Sequence, residues 1–204
     1  MHAASMKVFN SVLRSFHERY CMYRFPDLTP PALSPPAMGQ LSWTVLTSAQ
    51  ITLLFSGEPR REWAFQHFLE QGSIGVGISI GKEWASHAWM SIPGRARPPH
   101  VPSTIAPHAY WIYFCATKYG YGGQGLYKLA QRLLIDEAFR LEPEPDILID
   151  TTPDNTLSRR AIISTRFKPA GMLHCTYIWV PKVARLPLTC RWDLSASHPA
   201  LQVL

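Results

Sequence analysis

The chain has 204 residues, 47% of them hydrophobic and 12% aromatic, with seven Trp. That excludes a disordered chain and gives a single domain enough apolar material for a substantial core. The formal net charge of +6 rests on 14 Arg and six Lys, which suits a polyanionic ligand or an acidic substrate; no basic run points to nucleic acid, and no apolar run reaches the ~18 residues that span a bilayer.

In chain order, Val8, Val12, Leu13 and Phe16 share one helical face, which predicts an amphipathic helix over residues 6–20. Pro26, Pro30, Pro31, Pro35 and Pro36 make residues 26–39 an extended connector, because proline suits neither a helix interior nor a central strand. A short strand follows at 42–46, a short helix at 51–55 behind the cap Thr47-Ser48, and a second helix from Pro59 to about Gln71. Residues 73–80 and 83–92 read as a hairpin turning at Gly81-Lys82. The proline-rich loop at 95–107 is long enough to act as a lid over a substrate. Residues 109–116 form an apolar strand, 120–125 a glycine-rich turn, and 126–141 a helix stopped by Pro143 and Pro145. A strand at 147–150, a helix at 155–166 and a strand at 173–180 complete the order, and residues 181–204 show no periodicity.

Four cysteines at 21, 115, 175 and 190 lack CxxC pairing, which reads as buried free thiols in a reducing cytosol and argues against a metal site. The N-terminus carries Arg14, Glu18 and Arg19 and lacks the apolar core of a signal peptide. A cytoplasmic protein is the expectation, and a homodimer is compatible with it.

Strand, glycine turn and helix in succession form an anion site, since the first helical turn offers free N–H groups and the positive dipole end. The ligand expected there carries phosphates. Gly120, Gly122 and Gly125 spell GxGxxG, and Asp150 ends the next strand, as a dinucleotide site would have it. Element order opposes that reading: a doubly wound domain opens with its glycine loop, whereas here more than a hundred residues precede it.

Thr117-Lys118-Tyr119-Gly120-Tyr121-Gly122-Gly123-Gln124-Gly125 resembles the phrase Thr-x-Pro-x-Tyr-Arg-Gly-x-Gly of the GNAT superfamily of acyl-CoA-dependent N-acyltransferases at Thr117, Tyr121, Gly123 and Gly125. It differs in having Tyr119 for Pro and Gly122 for Arg. About 30 residues on, Asn155, Ser158 and Phe167 are similar to the family's Asn-x-x-(Ala/Ser)-x-x-x-Tyr-x-x-x-Gly-Phe, with Ile162 at the Tyr and Arg166 at the Gly. The resemblance covers residues 41–180, leaving 1–40 as a helix and connector and 181–204 as a tail.

The resemblance implies an α/β (α+β) domain with a mixed, mostly antiparallel sheet and one βαβ crossover carrying the pyrophosphate loop. It implies acetyl-CoA or another acyl-CoA as cofactor and a small-molecule or sugar amine as acceptor. Backbone groups of Ala116, Thr117 and Lys118 would hold pantetheine and acyl carbonyl. Those of Gly122, Gly123, Gln124, Gly125, Leu126 and Tyr127 would hold the pyrophosphate, and Asn155 the pantetheine arm. Candidates for proton transfer are Tyr113, His87, His108 and Asp150, with Ser158 one turn beyond Asn155; Asp150 equally suits a helix cap. The missing Tyr at 162 leaves open a protein that binds acyl-CoA without catalysis.

Overall fold

The structure, a computed structural model, describes residues 14–30, 32, 35–36, 39–101, 108–180 and 184–201. Eight strands form one sheet: β1 (Arg14–Arg24), β2 (Leu41–Val45), β3 (Ile74–Ile80), β4 (Glu83–Ser91), β5 (Tyr110–Thr117), β6 (Ile147–Thr151), β7 (Lys168–Val180) and β8 (Ala184–Asp193). Among the described residues four helices accompany it: α1 (Ser48–Phe55), α2 (Pro59–Glu70), α3 (Leu126–Leu141) and α4 (Thr156–Ser164). The strand order is β2-β3-β4-β5-β6-β1-β7-β8. All neighbours are antiparallel except β5 and β6, which α3 connects as a parallel crossover. One parallel pair in an antiparallel sheet rules out the doubly wound fold, and the GxGxxG reading falls with it.

Local chemistry explains the boundaries. Thr47 and Gln50 form a reciprocal capping box at the start of α1, and Pro59 opens α2 where its missing N–H costs nothing. Asn155 accepts from the Ser158 amide at 3.1 Å and caps α4. The buried side of α3, including Leu126, Leu129, Leu133 and Leu134, packs with Ile162 of α4 against Ile112 and Ile149 of the sheet. On the opposite face, Phe55 of α1 and Phe65 and Phe68 of α2 pack with Trp84, Trp89 and Tyr113. Tyr20, Met22, Trp111 and Tyr177 form a second cluster on that side of the sheet.

Three expectations need correction. From Arg14 onward the predicted N-terminal helix is a strand, while residues 6–13 lie outside the described residues. Tyr20 and Met22 face one side with Leu173, and Cys21 and Tyr23 the other, so the second half of β1 is buried on both faces and shows no alternation there, while Ser15, His17 and Arg19 of the first half are exposed. The tail is not irregular throughout: Ala184–Asp193 forms the edge strand β8, where Pro187 is tolerated because an edge need not donate on both sides. Both strands belong to the one sheet, so residues 41 and 180 are not its limits. Lastly, Cys175 and Cys190 stand opposite each other in β7 and β8 and are joined as a disulfide; Cys21 and Cys115 are free.

Candidate active site

Ladder pairing between β5 and β6 runs from Tyr110↔Ile147 to Ile112↔Ile149 and then ends, although both strands continue. A bulge accounts for the parting. Opposite β4, the two residues Phe114 and Cys115 stand against Ala88, and Phe114 sits at φ 49 in the left-handed region. Such a bulge bends its strand, and a non-glycine residue at positive φ is a strained position that packing must hold.

The gap is a cleft of about 540 Å³ lined from both faces of the sheet. From the α3/α4 side it is lined by Tyr127, Asn155 and Ser158; from the other side by Tyr20, His100 and Tyr177. Tyr113, Phe114, Cys115, Asp150 and Thr151 form its throat.

At the α3 end the backbone is left open. Gly123 (φ 75) and Gly125 (φ 80) adopt conformations that favour glycine, and a Cβ at either would meet nothing within 4 Å, so the loop's outer side is free space. Gly125 is the N-cap of α3, with no side-chain cap and no acidic residue in the first turn. The amides of Leu126 and Tyr127 therefore keep their donors, and Lys128 and Arg132 flank them beside Gly125.

Of the three residues expected to offer backbone groups, Ala116 and Thr117 of β5 and Lys118 just past its end, only Thr117 is turned to the gap. The Lys118 amide donates to the Ala85 carbonyl at 2.8 Å, and the Ala116 carbonyl accepts from Ser86 Oγ at 2.9 Å, so both turn to β4; alternation turns Thr117 to the gap.

Asp150 is the throat's carboxylate, with a side chain only 7% exposed. One oxygen, Oδ2, accepts from Trp111 Nε1 at 2.6 Å and meets His100 Nε2 at 2.9 Å. Fixing the proton on Nε2 leaves Nδ1 of a neutral His100 as a proton acceptor. The loop that carries His100 is tied down at three points: Val101 is fully buried, its carbonyl accepts from Arg97 at 2.9 Å, and the Tyr177 hydroxyl donates to the His100 carbonyl at 2.9 Å.

His100 was not among the residues singled out from the sequence. The signal available was its loop, a long proline-rich crossing between strands, of which residues 102–107 lie outside the described residues.

The other candidates separate cleanly. His87 is fully buried among Phe55, Phe65, Trp84 and Phe114 and does not line the cleft. Burial pushes its pKa down to about 3; the Arg61 charge adds to this and the Phe114 backbone weakly opposes it. A ring so disposed cannot take a proton from a substrate. His108 is exposed and away from the cleft. Tyr113 presents its ring to the throat, but its hydroxyl donates to Ser73 Oγ at 2.8 Å and burial raises its pKa, which removes it as a base. The Cys115 thiol is pushed up to about 12 by burial and the Asp150 charge, so it stays protonated. Ile162, at the family's Tyr position, is fully buried in the core. Tyr127 lines the cleft beside Ser158, and burial raises its phenol so that it keeps its proton.

No family model and no curated protein matches the sequence. Solved structures do. A GNAT-family protein from Novosphingobium aromaticivorans DSM 12444 superposes with a TM-score of 0.55 at 16% identity, over 87% of this chain and 68% of that one. A GCN5-related N-acetyltransferase-like protein from Streptococcus suis 89/1591 gives 0.51 at 15% identity, over 85% and 65%. An acetyltransferase from the GNAT family of Colwellia psychrerythraea gives 0.53 at 10% identity, over 92% and 62%. The chain thus spans about two thirds of the length of the structures it matches. The superposition over most of this chain shows that it has the fold of these GNAT-family structures.

Proposed function

We propose that this chain is an acyl-CoA-dependent N-acyltransferase that moves an acyl group, acetyl in the simplest case, to the amine of a small molecule by direct attack. The observation that carries the reading is the through-sheet cleft, with an open helix N-terminus at one mouth and a His–Asp pair in its throat.

The residues present fit the coenzyme. The free space over Gly122, Gly123 and Gly125, the first-turn amides and the flanking Lys128 and Arg132 suit a pyrophosphate. Asn155 uses its carbonyl oxygen to cap α4, which leaves its amide N–H groups for the pantetheine arm. Thr117 lies at the strand edge that faces the gap. When bound, acyl-CoA supplies the activated carbonyl; this chain's residues orient it and manage protons. His100 Nδ1 takes the proton from the incoming ammonium, with Asp150 holding the ring and offsetting the charge that develops. Tyr127, with Ser158 beside it, is the proton donor to the departing sulfur, in place of the absent Tyr at 162.

Thermal unfolding with acetyl-CoA, longer acyl-CoAs, free CoA, NADH and NADPH tests this directly. A CoA species at a hundredfold over its dissociation constant should add about 2.7 kcal/mol of stability. A shift with NAD(P)H and none with CoA would sink the proposal. The rival, a binder without chemistry, is separated by His100→Gln. Turnover should fall on the order of 10²- to 10⁴-fold with CoA affinity retained; unchanged turnover would remove His100 from the mechanism.

A further inference from the structure

The two edges of the sheet are built differently. One edge, β8, carries Pro187, Arg191 and Asp193 in its sequence, residue types that keep an open edge from pairing with another chain. The other, β2, reads Leu41-Ser42-Trp43-Thr44-Val45 and has none of them. It lies in a run from Leu28 to Gly57 without a single Asp, Glu, Lys or Arg, in a chain that is 17% charged. Among the described residues no strand pairs with its outer side.

Hydrogen bonding fixes what that edge presents. The Leu46 amide donates to the Gly75 carbonyl at 2.7 Å, and the Gln40 carbonyl accepts from the Gly81 amide at 3.1 Å. Even-numbered residues of β2 thus turn their backbone groups to β3, and by alternation the amides and carbonyls of Leu41, Trp43 and Val45 point outward. The side chains of these three stand beside Ile80, Ile78 and Val76, at the margin of the core under α3. Trp43 and Val45 are each 42% exposed. The opposite face of β2 is satisfied within the chain: Ser42 meets Ser79 at 2.8 Å, and Thr44 accepts from Gln50 at 2.7 Å.

This edge is complementary to itself. In an antiparallel pair of two copies with Trp43 opposite its own counterpart, Leu41 of each copy stands opposite Val45 of the other. Every outward residue then exchanges both of its hydrogen bonds, and one face carries an unbroken apolar stripe of cross-strand pairs. Charge selects the same occupant. Two copies of a +6 chain repel, and a strip without charge lets them meet with no like charges opposed; an acidic or basic partner would find nothing there to pair with.

We propose that β2 is the interface of an isologous dimer, two sheets joined edge to edge across a two-fold axis at Trp43. The cleft lies beyond β3 and β4, between β5 and β6, so each copy keeps its own.

Analytical ultracentrifugation of the full chain between about 1 and 200 μM should show a monomer–dimer equilibrium, as a small interface gives. Trp43→Lys should weaken association about tenfold or more, because the two-fold axis brings the two new charges together. Thr189→Lys, on the exposed side of β8, should leave it unchanged. Amide exchange locates the contact: the Leu41, Trp43 and Val45 amides should slow as concentration rises, while those of Ser42 and Thr44 stay protected throughout. A wild type that remains monomeric over this range overturns the inference. So does a folded Trp43→Lys that associates as tightly as wild type, or a dimer that leaves the three outward amides unprotected. Should Trp43→Lys fail to fold, exchange in the wild type decides alone. None of these outcomes touches the acyltransferase reading, which stands or falls on CoA binding and turnover.

Discussion

His87 is a titratable ring held where water does not reach. Its pKa of about 3 lies below the ordinary 6.5 because burial penalises the charged form. The sign follows: below about pH 6.5 the unfolded chain takes a proton that the folded chain refuses, so stability falls as pH drops from there towards 3 and is flat above. At pH 5 the loss should be about 2 kcal/mol relative to pH 7. Urea midpoints of the wild type and His87→Phe at the two pH values measure it; the variant should lack that share of the acid sensitivity. Equal sensitivity in both would mean that the ring is hydrated in solution. The same residue shows what a sequence conveys at this scale. Residue type and strand position made His87 look like a candidate base, but which face of β4 it occupies, and that Phe55 and Phe65 close over it, is tertiary information. The helix start at Asn155 was legible because capping is a local event. His100 was not, since nothing near it in the chain announces that its ring meets Asp150 fifty residues later.

At the scale of elements, the strands and helices between residues 41 and 180 follow closely from periodicity and punctuation: Pro59, Gly81 and Pro143 mark boundaries that the structure keeps. The outer strands were illegible for a physical reason. The core of β1, Tyr20 to Tyr23, is buried on both faces, and β8 takes its definition from pairing with β7 rather than from its own pattern. The Cys175–Cys190 bond staples that last pair over a sequence separation of 15. Closing a loop of that length contributes about 3 kcal/mol in the chain-entropy account. Unfolded under non-reducing conditions, the protein should therefore titrate two thiols, Cys21 and Cys115, and prior reduction should lower its stability by roughly that amount. Four titratable thiols before reduction would refute the pairing. A cross-strand bond of this kind is at home in an oxidising compartment, contrary to the free-thiol expectation. Gly171, at φ 91, belongs to the same pair: a Cβ there would meet the Asp193 carbonyl oxygen at 2.2 Å, so the hairpin has no room for any other residue.

Across the whole molecule, the net charge is positive. A +6 chain with a sequence pI near 9.3 draws polyanions generally, while Lys128 and Arg132 give that attraction a local address. CoA affinity should weaken several-fold between about 0.05 and 0.5 M salt, because exposed charges are screened within roughly 10 Å at 0.1 M. Lys128→Glu should lower the affinity and flatten the dependence, as titrations at the two salt concentrations would show; an unchanged slope would place the phosphates elsewhere.

The insertion of β1 between β6 and β7 also bears on how the chain is made. Residues 14–24 are translated more than a hundred residues before their partners Leu148–Thr151 and Lys168–Trp179. Until then a strand that carries the apolar run Tyr20-Cys21-Met22-Tyr23 has two unpaired edges, and the far wall of the cleft does not exist. Contacts so distant in sequence close slowly. A nascent chain of this design is born with an interior strand unpaired, and its dependence on chaperones during synthesis should exceed that of a sheet built in order.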